Sequence, residues 1–196
     1  MKDSNTIEQA ADEIIGLYKS YGNKDYIGEP VSQIEHMCQC AELAEESDAD
    51  DETILAAFFH DVGHLCEVDS PANTVQHMDG FGIVDHEKLG GEYLRSKGFS
   101  KNIVNMVASH VNAKRYLTYK YPEYYDALSV ASKNTLVHQG GRMSADEALL
   151  FEADPLSEKY IALRRWDEQA KEQYKPLPSL DYYRKLIVTH LSKQLQ

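Results

Sequence analysis

The segment ILAAFFHDVGHL, residues 54–65, decides how the rest of this 196-residue chain is interpreted. It is an apolar run interrupted by three polar side chains that can carry charge, His60, Asp61 and His64. Burying an ionisable group is costly unless another group pairs with it. The segment therefore predicts a core helix whose polar residues need partners from elsewhere in the chain.

Helical periodicity extends over nearly the whole sequence, and no segment has the alternation typical of a strand. Capping patterns mark several boundaries: Ser100 is a predicted N-cap, Gly98 a predicted stop, and Asp154 with Pro155 fits the N-cap and N1 positions of a helix. The predicted helices cover residues 6–22, 33–46, 51–65, 84–98, 100–111, 144–153, 154–173 and 180–194. Residues 66–82 predict a long loop and residues 112–141 a tyrosine-rich series of short pieces. We expect one all-α domain over residues 1–196.

Composition limits the function classes. The net charge of −12 argues against a general nucleic-acid binder and against binding to an anionic membrane. No early apolar stretch is long enough for a signal or membrane-spanning segment, so we expect a cytoplasmic protein. The three cysteines, Cys38, Cys40 and Cys66, lack zinc-ligand spacing and are predicted to be small buried hydrophobic residues.

Six metal-capable side chains lie one or two per predicted helix, next to apolar neighbours: His36, His60, Asp61, His86, His110 and Asp167. Neighbouring helical residues point about 100° apart, so the adjacent pair His60–Asp61 can diverge around one ion. A carboxylate can bridge two metals, whereas an imidazole is a terminal ligand. The pattern predicts a dinuclear metal site in the core of a helical bundle, with residual positive charge to attract an anion.

Residues 60–64, HDVGH, also have the two-histidine spacing of the zinc-protease motif H-E-x-x-H. An aspartate is shorter than the glutamate of that motif and reaches a metal-bound water poorly. Gly63 also weakens the helix that the motif requires. Both features argue against a protease.

These residues resemble the HD-domain superfamily of all-α metal enzymes, and further segments narrow the resemblance. The chain is similar to the glycine-forming 2-amino-1-hydroxyethylphosphonate dioxygenase family, which includes relatives acting on the N-trimethylated substrate. The similar segments are DYIGE (25–29), HDVGH (60–64), GFGIVDHEKLGGEYL (80–94), HVNAKRYL (110–117), SVASKNTL (129–136), QGG (139–141) and RRWDEQAK (164–171).

The resemblance implies a cofactor of two iron ions in the mixed-valent Fe(II)/Fe(III) state. It implies that the first iron binds His36, His60 and Asp167, that the second binds His86 and His110, and that Asp61 bridges them. It assigns phosphonate binding to His64, Lys114, Ser132 and Arg164, of which lysine and arginine supply charge-assisted hydrogen bonds. By pattern alone Arg165 is an alternative to Arg164, although Arg164 lies one helical turn before Asp167.

The loop DYIGE supplies two further residues by resemblance. Tyr26 and Glu29 would lie over the site, with the tyrosine able to occupy an iron position until substrate replaces it. Glu29 would hold the tyrosine or meet the ammonium of the substrate. An ordinary turn with one anchored tyrosine is the alternative.

The implied reaction is cleavage of the C–P bond of a 1-hydroxy-2-(amino or trimethylammonio)ethylphosphonate with O2, giving phosphate and glycine or glycine betaine. Phe81, Tyr116 and Asp79 would suit a quaternary ammonium, and the choice of amine stays open. Two alternatives also stay open: an HD-domain phosphohydrolase of a phosphate monoester, and a degenerate HD module that senses a ligand. The sequence predicts no oligomeric state.

Overall fold

The computed structural model describes residues 4–26, 28–66 and 83–195, and over these ranges the fold is all-α, as predicted. The one β-type pairing among them is an isolated bridge between Asp25 and Ser32. A short 3-10 turn covers Val62–His64. The α-helices are α1 Ser4–Tyr21, α2 Gln33–Glu46, α3 Asp51–Phe59, α4 His86–Lys97, α5 Lys101–Lys120, α6 Pro122–Ala127, α7 Val130–His138, α8 Ala145–Glu152, α9 Ser157–Gln169 and α10 Leu180–Lys193.

Several helix boundaries follow directly from the sequence. The Ser100 side chain accepts a hydrogen bond from the Ile103 amide at the start of α5, and α4 ends with Gly98 as its C-cap. Ser144 and Glu147 form the capping box that their spacing predicts for α8. These short-range signals are confirmed because each is complete within four residues and needs no tertiary contact.

Helix α3 lies at the centre of the bundle. On one side its Phe58 ring is stacked between Tyr18 of α1 and Tyr183 of α10, with ring centroids 4.2 and 4.1 Å apart. The Tyr18 hydroxyl donates to the Phe58 carbonyl oxygen at 2.5 Å. Helices α2, α5 and α9 also pack against α3. The apolar stack therefore anchors α3, and its last residues reach into the space between these helices.

The predicted helix over residues 51–65 is wrong at its C-terminal end, because α3 stops at Phe59. Asp61 has φ −104° and ψ 12°, and the chain continues as a 3-10 turn in which His64 N–H donates to the Asp61 carbonyl. A Cβ added to Gly63 would lie 2.0 Å from the His86 carbonyl oxygen. This close approach to the start of α4 overrides the helical periodicity of the segment.

Two other boundaries differ from the prediction. Helix α5 ends at Lys120 rather than near Val111, because Ala113, Tyr116 and Leu117 continue its buried face at helical spacing. Helix α9 begins at Ser157 and ends at Gln169, so it is shorter than the predicted 154–173.

The prediction that Asp154 is the N-cap of this helix is wrong, because α9 begins at Ser157 with Leu156 as its N-cap. The Asp154 side chain accepts hydrogen bonds from the Leu156 amide and the Tyr160 hydroxyl in the turn that precedes the helix. The three cysteines are buried, as predicted. Of the loop predicted at residues 66–82, residues 67–82 lie outside the described ranges. Among the described helices none has the length and apolarity needed to cross a membrane.

The contact between Gly63 and α4 gives a first prediction. We expect Gly63→Ala to lower the free energy of unfolding by about 2 kcal/mol or more, because the new methyl group overlaps the backbone of His86. Gly16→Ala is the matched control: it lies inside α1 with nothing within 4 Å of an added Cβ. The control should stabilise the helix by about 0.5–1 kcal/mol. Urea unfolding of both variants measures the difference, and equal stabilities would contradict the close packing.

Candidate metal centre

Four histidines from different parts of the fold converge at the inner end of α3. His36 comes from α2, His60 follows α3, His86 begins α4 and His110 lies in α5. The Nε2 atoms of His36 and His60 lie 3.0 Å apart, and those of His86 and His110 lie 3.1 Å apart. All four side chains are buried. The cluster therefore consists of two facing histidine pairs.

The tautomer of each histidine follows from its second ring nitrogen, Nδ1, which faces a backbone carbonyl. A carbonyl oxygen only accepts hydrogen bonds, so each Nδ1 carries the proton and each Nε2 presents a lone pair. The Nδ1–carbonyl pairs are His36–Ala170 at 2.9 Å, His60–Ala57 at 2.8 Å, His86–Ile83 at 3.2 Å and His110–Val107 at 2.8 Å.

Two lone pairs that face each other at this distance repel unless a cation lies between them. Two ligands at right angles around a metal, each about 2.1 Å from it, are about 3.0 Å apart. The observed Nε2 separations of 3.0 and 3.1 Å therefore match two metal positions, one for each histidine pair.

Asp61 lies between the two histidine pairs. Its Oδ2 atom is 3.7 Å from His36 Nε2 and 3.5 Å from His60 Nε2. Its Oδ1 atom is 3.3 Å from His86 Nε2 and 3.5 Å from His110 Nε2. One carboxylate oxygen thus faces each pair, which is the arrangement that a bridging ligand requires.

Asp167 of α9 completes the first pair. Its Oδ2 atom accepts from the Arg164 guanidinium, whereas its buried Oδ1 atom has no hydrogen-bond donor and lies 3.3 Å from His36 Nε2. This carboxylate oxygen and the Nε2 lone pairs of His36 and His60 together form a possible ligand set of two histidines and one carboxylate. This set is typical of non-haem iron sites with open positions.

Electrostatics support cation binding at both positions. Burial opposes ionisation of Asp61 and Asp167, but neighbouring groups outweigh it and hold both pKa values well below the usual range. For Asp61 these groups are histidines, with His60 foremost, and for Asp167 the main group is the Arg164 guanidinium. Both carboxylates are therefore ionised. Arg164 compensates the charge of Asp167 in part, and the histidine cluster compensates that of Asp61 when it holds protons or a bound metal cation in their place.

His64 differs from the four histidines of the pairs in its tautomer. Its ring stacks on His86 with centroids 4.1 Å apart, and its Nδ1 accepts a hydrogen bond from the Ile83 amide at 3.4 Å. The proton therefore belongs on Nε2. Burial and the neighbouring His86 lower the pKa of His64 to about 3. His64 is a neutral hydrogen-bond donor beside the second pair, within 4.8 Å of ligand atoms of Asp61 and His86.

A cavity opens beside the cluster and is lined by all four predicted phosphonate-binding residues. Lys114 is 2% exposed, and its Nζ donates to Thr135 Oγ1 at 2.7 Å and to Gln139 Oε1 at 2.9 Å. Burial, followed by the Arg164 charge, holds the pKa of Lys114 well below its usual range. Its amine thus donates to two neutral oxygens, and an anion in the cavity would favour its charged form.

Arg164 is the pocket arginine, because it is buried whereas Arg165 is exposed. Its Nη2 atom donates to Ser132 Oγ at 3.1 Å and its Nε to the Tyr124 hydroxyl at 3.0 Å. Nη2 also forms an ion pair with Glu168. Arg164 thus connects Asp167 to Ser132, which also lines the cavity.

The loop that carries Tyr26 and Glu29 lies against the same cavity. The Tyr26 ring stacks on His36, with centroids 4.0 Å apart and an interplanar angle of 15°. Burial, followed by the nearby Asp61, raises the pKa of Tyr26 well above its usual range. The Glu29 carboxylate accepts from Ser129 Oγ at 2.6 Å and from Lys171 Nζ at 2.9 Å.

Sequence reasoning missed several residues of this site. Glu168 and Lys171 occupy the RRWDEQAK segment, but their spacing indicates only solvated charges at the end of a helix. For Gln139 a turn is the simpler prediction and a place at the pocket border the alternative; it is the C-cap of α7, lines the cavity and accepts from Lys114. Thr135, which accepts from the same lysine, gives no sequence signal of its own.

Of the three residues suggested for a quaternary ammonium, only Tyr116 lies among the described residues. It stacks on Phe151, with centroids 4.7 Å apart, its hydroxyl donates to Glu152 at 2.7 Å, and it does not line the cavity. Asp79 and Phe81 lie outside the described residues. The choice of amine therefore stays open.

A helical bundle that buries four histidines and two aspartates around an adjacent His-Asp pair defines the HD-domain class. The HD domain family matches residues 34–158 of this chain. An uncharacterized protein of Acanthamoeba polyphaga mimivirus is 47% identical over 187 residues, which is 95% of this chain and 84% of that protein.

Two similar proteins carry functional names. A 1-hydroxy-2-(trimethylamino)ethylphosphonate dioxygenase (glycine-betaine-forming) of Leisingera caerulea is 34% identical over 92% of this chain and 89% of its own length. A hydroxymethylphosphonate dioxygenase of Gimesia maris is 35% identical over 92% of this chain and 87% of its own length. The chain belongs to the HD-domain dioxygenase family.

The placement of Asp61 gives a prediction on metal content. We expect two metal ions per wild-type chain and a loss of the dinuclear site in Asp61→Ala, because no other group among the described residues faces both histidine pairs. Asp12→Ala is the control, since Asp12 is exposed and pairs with Arg184 on the outer surface. Metal analysis after iron loading measures the stoichiometry. An intact two-iron signal in Asp61→Ala would show that Asp61 is not the bridge.

Proposed function

We propose that this protein is a mixed-valent di-iron oxygenase that cleaves the C–P bond of a 1-hydroxyphosphonate with O2 and releases phosphate. The observation that carries the proposal is the combination of two histidine pairs around Asp61 with a cavity lined by Lys114 and Arg164. The names of both dioxygenase relatives specify a hydroxyl group and a phosphonate. The two names differ in the other substituent on the carbon that carries the hydroxyl and phosphonate groups.

The donor set supports iron at both positions. His36, His60 and Asp167 would hold one ion and His86 with His110 the other, and Asp61 would bridge them. Neutral imidazoles and carboxylates are ligands that suit iron, and two aspartates neutralise only part of the charge of two ions. When bound, the two ions would supply the activation of O2 and the oxidation of the substrate.

The described side chains would bind and orient the phosphonate. Lys114 offers a compact charge, and Arg164 offers a planar fork that fits two phosphonate oxygens. Ser132 and the Nε2–H of His64 add neutral donors. Because the donors come from both sides of the cavity, they would hold the hydroxyl-bearing carbon next to the cluster, and such positioning is a large part of catalysis.

The loop residues would control access to the cluster. Tyr26 covers one face of His36, so its ring shields that ligand from water. Glu29 ties the loop to the start of α7 through Ser129 and to the end of α9 through Lys171. Closed over the cluster before substrate binds, the loop would keep water away from the metal ligands.

The direct test is phosphate release from iron-loaded protein, with and without O2. We expect O2-dependent release from at least one of three compounds: hydroxymethylphosphonate, 2-amino-1-hydroxyethylphosphonate or its N-trimethyl analogue. The compound with the highest kcat/KM identifies the substituent that the cavity accepts. Release from phosphate monoesters without O2 would instead support an HD-domain phosphohydrolase, and bound ligand without turnover would support a sensor.

Lys114 provides a second test, because its burial has opposite effects on stability and on binding. We expect Lys114→Met to raise KM about tenfold or more, through loss of a charged hydrogen bond to the phosphonate, without changing the iron content. The same variant should have a free energy of unfolding about 1 kcal/mol higher than that of the wild type, because a buried amine without an ionic partner is removed.

The pH dependence separates these effects. The folded-state pKa of Lys114 is lowered, so the unfolded chain binds more protons, and the cost to wild-type stability grows as pH falls below the usual lysine pKa. The stabilisation by Lys114→Met should therefore be larger at pH 6 than at pH 9. Lys120→Met is the control on the same helix, where an exposed lysine pairs with Glu152. Kinetics of Lys114→Met that match the wild type would remove Lys114 from the substrate site.

A further inference from the structure

The ion pairs around Arg164 differ from those of an open anion site. Ser132 Oγ donates to Glu168 Oε1 at 3.2 Å, and Arg164 Nη2 pairs with the same carboxylate. Glu168 therefore occupies two of the four donors that the proposed function assigns to the phosphonate. It lies near the end of α9, and its side chain is partly exposed. A carboxylate on these donors would repel an incoming phosphonate.

A second cationic side chain, that of Lys171, lies next to the Glu168 carboxylate. Lys171 Nζ is 3.5 Å from Glu168 Oε2, the oxygen that faces away from Ser132. The same ammonium group donates to Glu29 at 2.9 Å. Lys171 is therefore shared between the anion-binding side of the cavity and the loop that carries Tyr26.

The backbone next to Lys171 contacts a histidine of the candidate metal centre. Its neighbour Ala170 supplies the carbonyl that orients His36, and the Lys171 amide donates to the Gln169 carbonyl in the turn that ends α9. The backbone of this turn is thus anchored by a buried histidine. This anchoring places the Lys171 side chain beside both carboxylates.

We propose that Glu168 is an internal anion that holds Arg164 and Ser132 in the absence of substrate, and that Lys171 accepts Glu168 when the substrate anion replaces it. Lys171 then shares less of its charge with Glu29, so binding of the anion loosens the loop over the cluster. Both are positioning residues. The inference rests on the proposed function only in taking Arg164 and Ser132 as the anion site.

The test is binding of inorganic phosphate to the iron-loaded protein under argon, measured by titration calorimetry. We expect Glu168→Gln to bind phosphate about tenfold more tightly than the wild type, because a competing carboxylate is removed. We expect Lys171→Met to bind it about tenfold more weakly, because the displaced Glu168 then has no cation to receive it. Lys171→Arg keeps the charge and should restore the wild-type affinity.

The double variant distinguishes this role from a merely structural one. In Glu168→Gln, Lys171 has no displaced carboxylate to receive, so adding Lys171→Met should leave the affinity within about threefold of that of Glu168→Gln alone. Lys175→Met is the matched control: it removes a lysine that pairs with Glu42 at 3.0 Å and does not line the cavity. We expect it to bind phosphate as the wild type does.

Coupling to the loop has its own test, because coupling between two sites is reciprocal. Glu29→Gln releases Lys171 toward Glu168, so we expect it to strengthen phosphate binding in the wild-type background and to have no such effect in the Lys171→Met background. An equal gain in both backgrounds would mean that Glu29 acts on the anion directly, and would overturn the coupling.

Two results would overturn the role of Glu168 and Lys171 as a whole. One is a Glu168→Gln protein that binds phosphate no better than the wild type. The other is a Lys171→Met defect that persists in full in the Glu168→Gln background. Because phosphate binding requires no turnover, failure of O2-dependent release would remove the proposed function and leave this pattern intact, so the two failures are distinguishable.

Discussion

The structure depends on the orientation of four imidazole rings by four backbone carbonyls. Because each Nδ1–H is committed to a carbonyl, each Nε2 lone pair points inward, and lone pairs at 3.0 to 3.1 Å need a cation between them. The carbonyls of Ala57, Ile83 and Val107 each lie three residues before the histidine they orient. Only His36 takes its carbonyl from a distant residue, Ala170. Local geometry therefore builds three of the ligands, and the tertiary fold adds the fourth.

The end of α3 shows how a break in regular structure serves such a site. If the α-helix continued through residue 65, the directions of the Asp61 and His64 side chains would be fixed by the rotation of about 100° per residue. The 3-10 turn instead places Asp61 between the two histidine pairs and stacks His64 on His86. The turn fits only because Gly63 has no side chain to collide with the start of α4. One glycine thus allows the carboxylate to face both pairs.

Much of this architecture could be predicted from sequence, for reasons that are physical. The fold class followed from periodicity, and a cluster of metal-capable side chains followed from polar residues on otherwise apolar helices. The grouping of His36, His60 and Asp167 around one ion was implied by the family resemblance. The boundaries of α3 and α5 could not be predicted, because tertiary contacts decide them. The role of Glu168 was hidden for another reason: a charge near a helix end is usually solvated, and only the fold places this one against Arg164.

Charge distribution explains how an acidic protein can accept an anion. The chain carries a net charge of −12, yet Lys114, Arg164 and Lys171 lie within or next to one cavity. Arg164 and Lys171 are paired with carboxylates, whereas the side-chain hydrogen bonds of Lys114 go to the neutral oxygens of Thr135 and Gln139. Under the proposed function, an entering phosphonate would pair with Lys114 and would displace Glu168 to engage the Arg164 guanidinium. Internal carboxylates thus compensate Arg164 and Lys171 without substrate, and binding becomes an exchange of anions at Arg164.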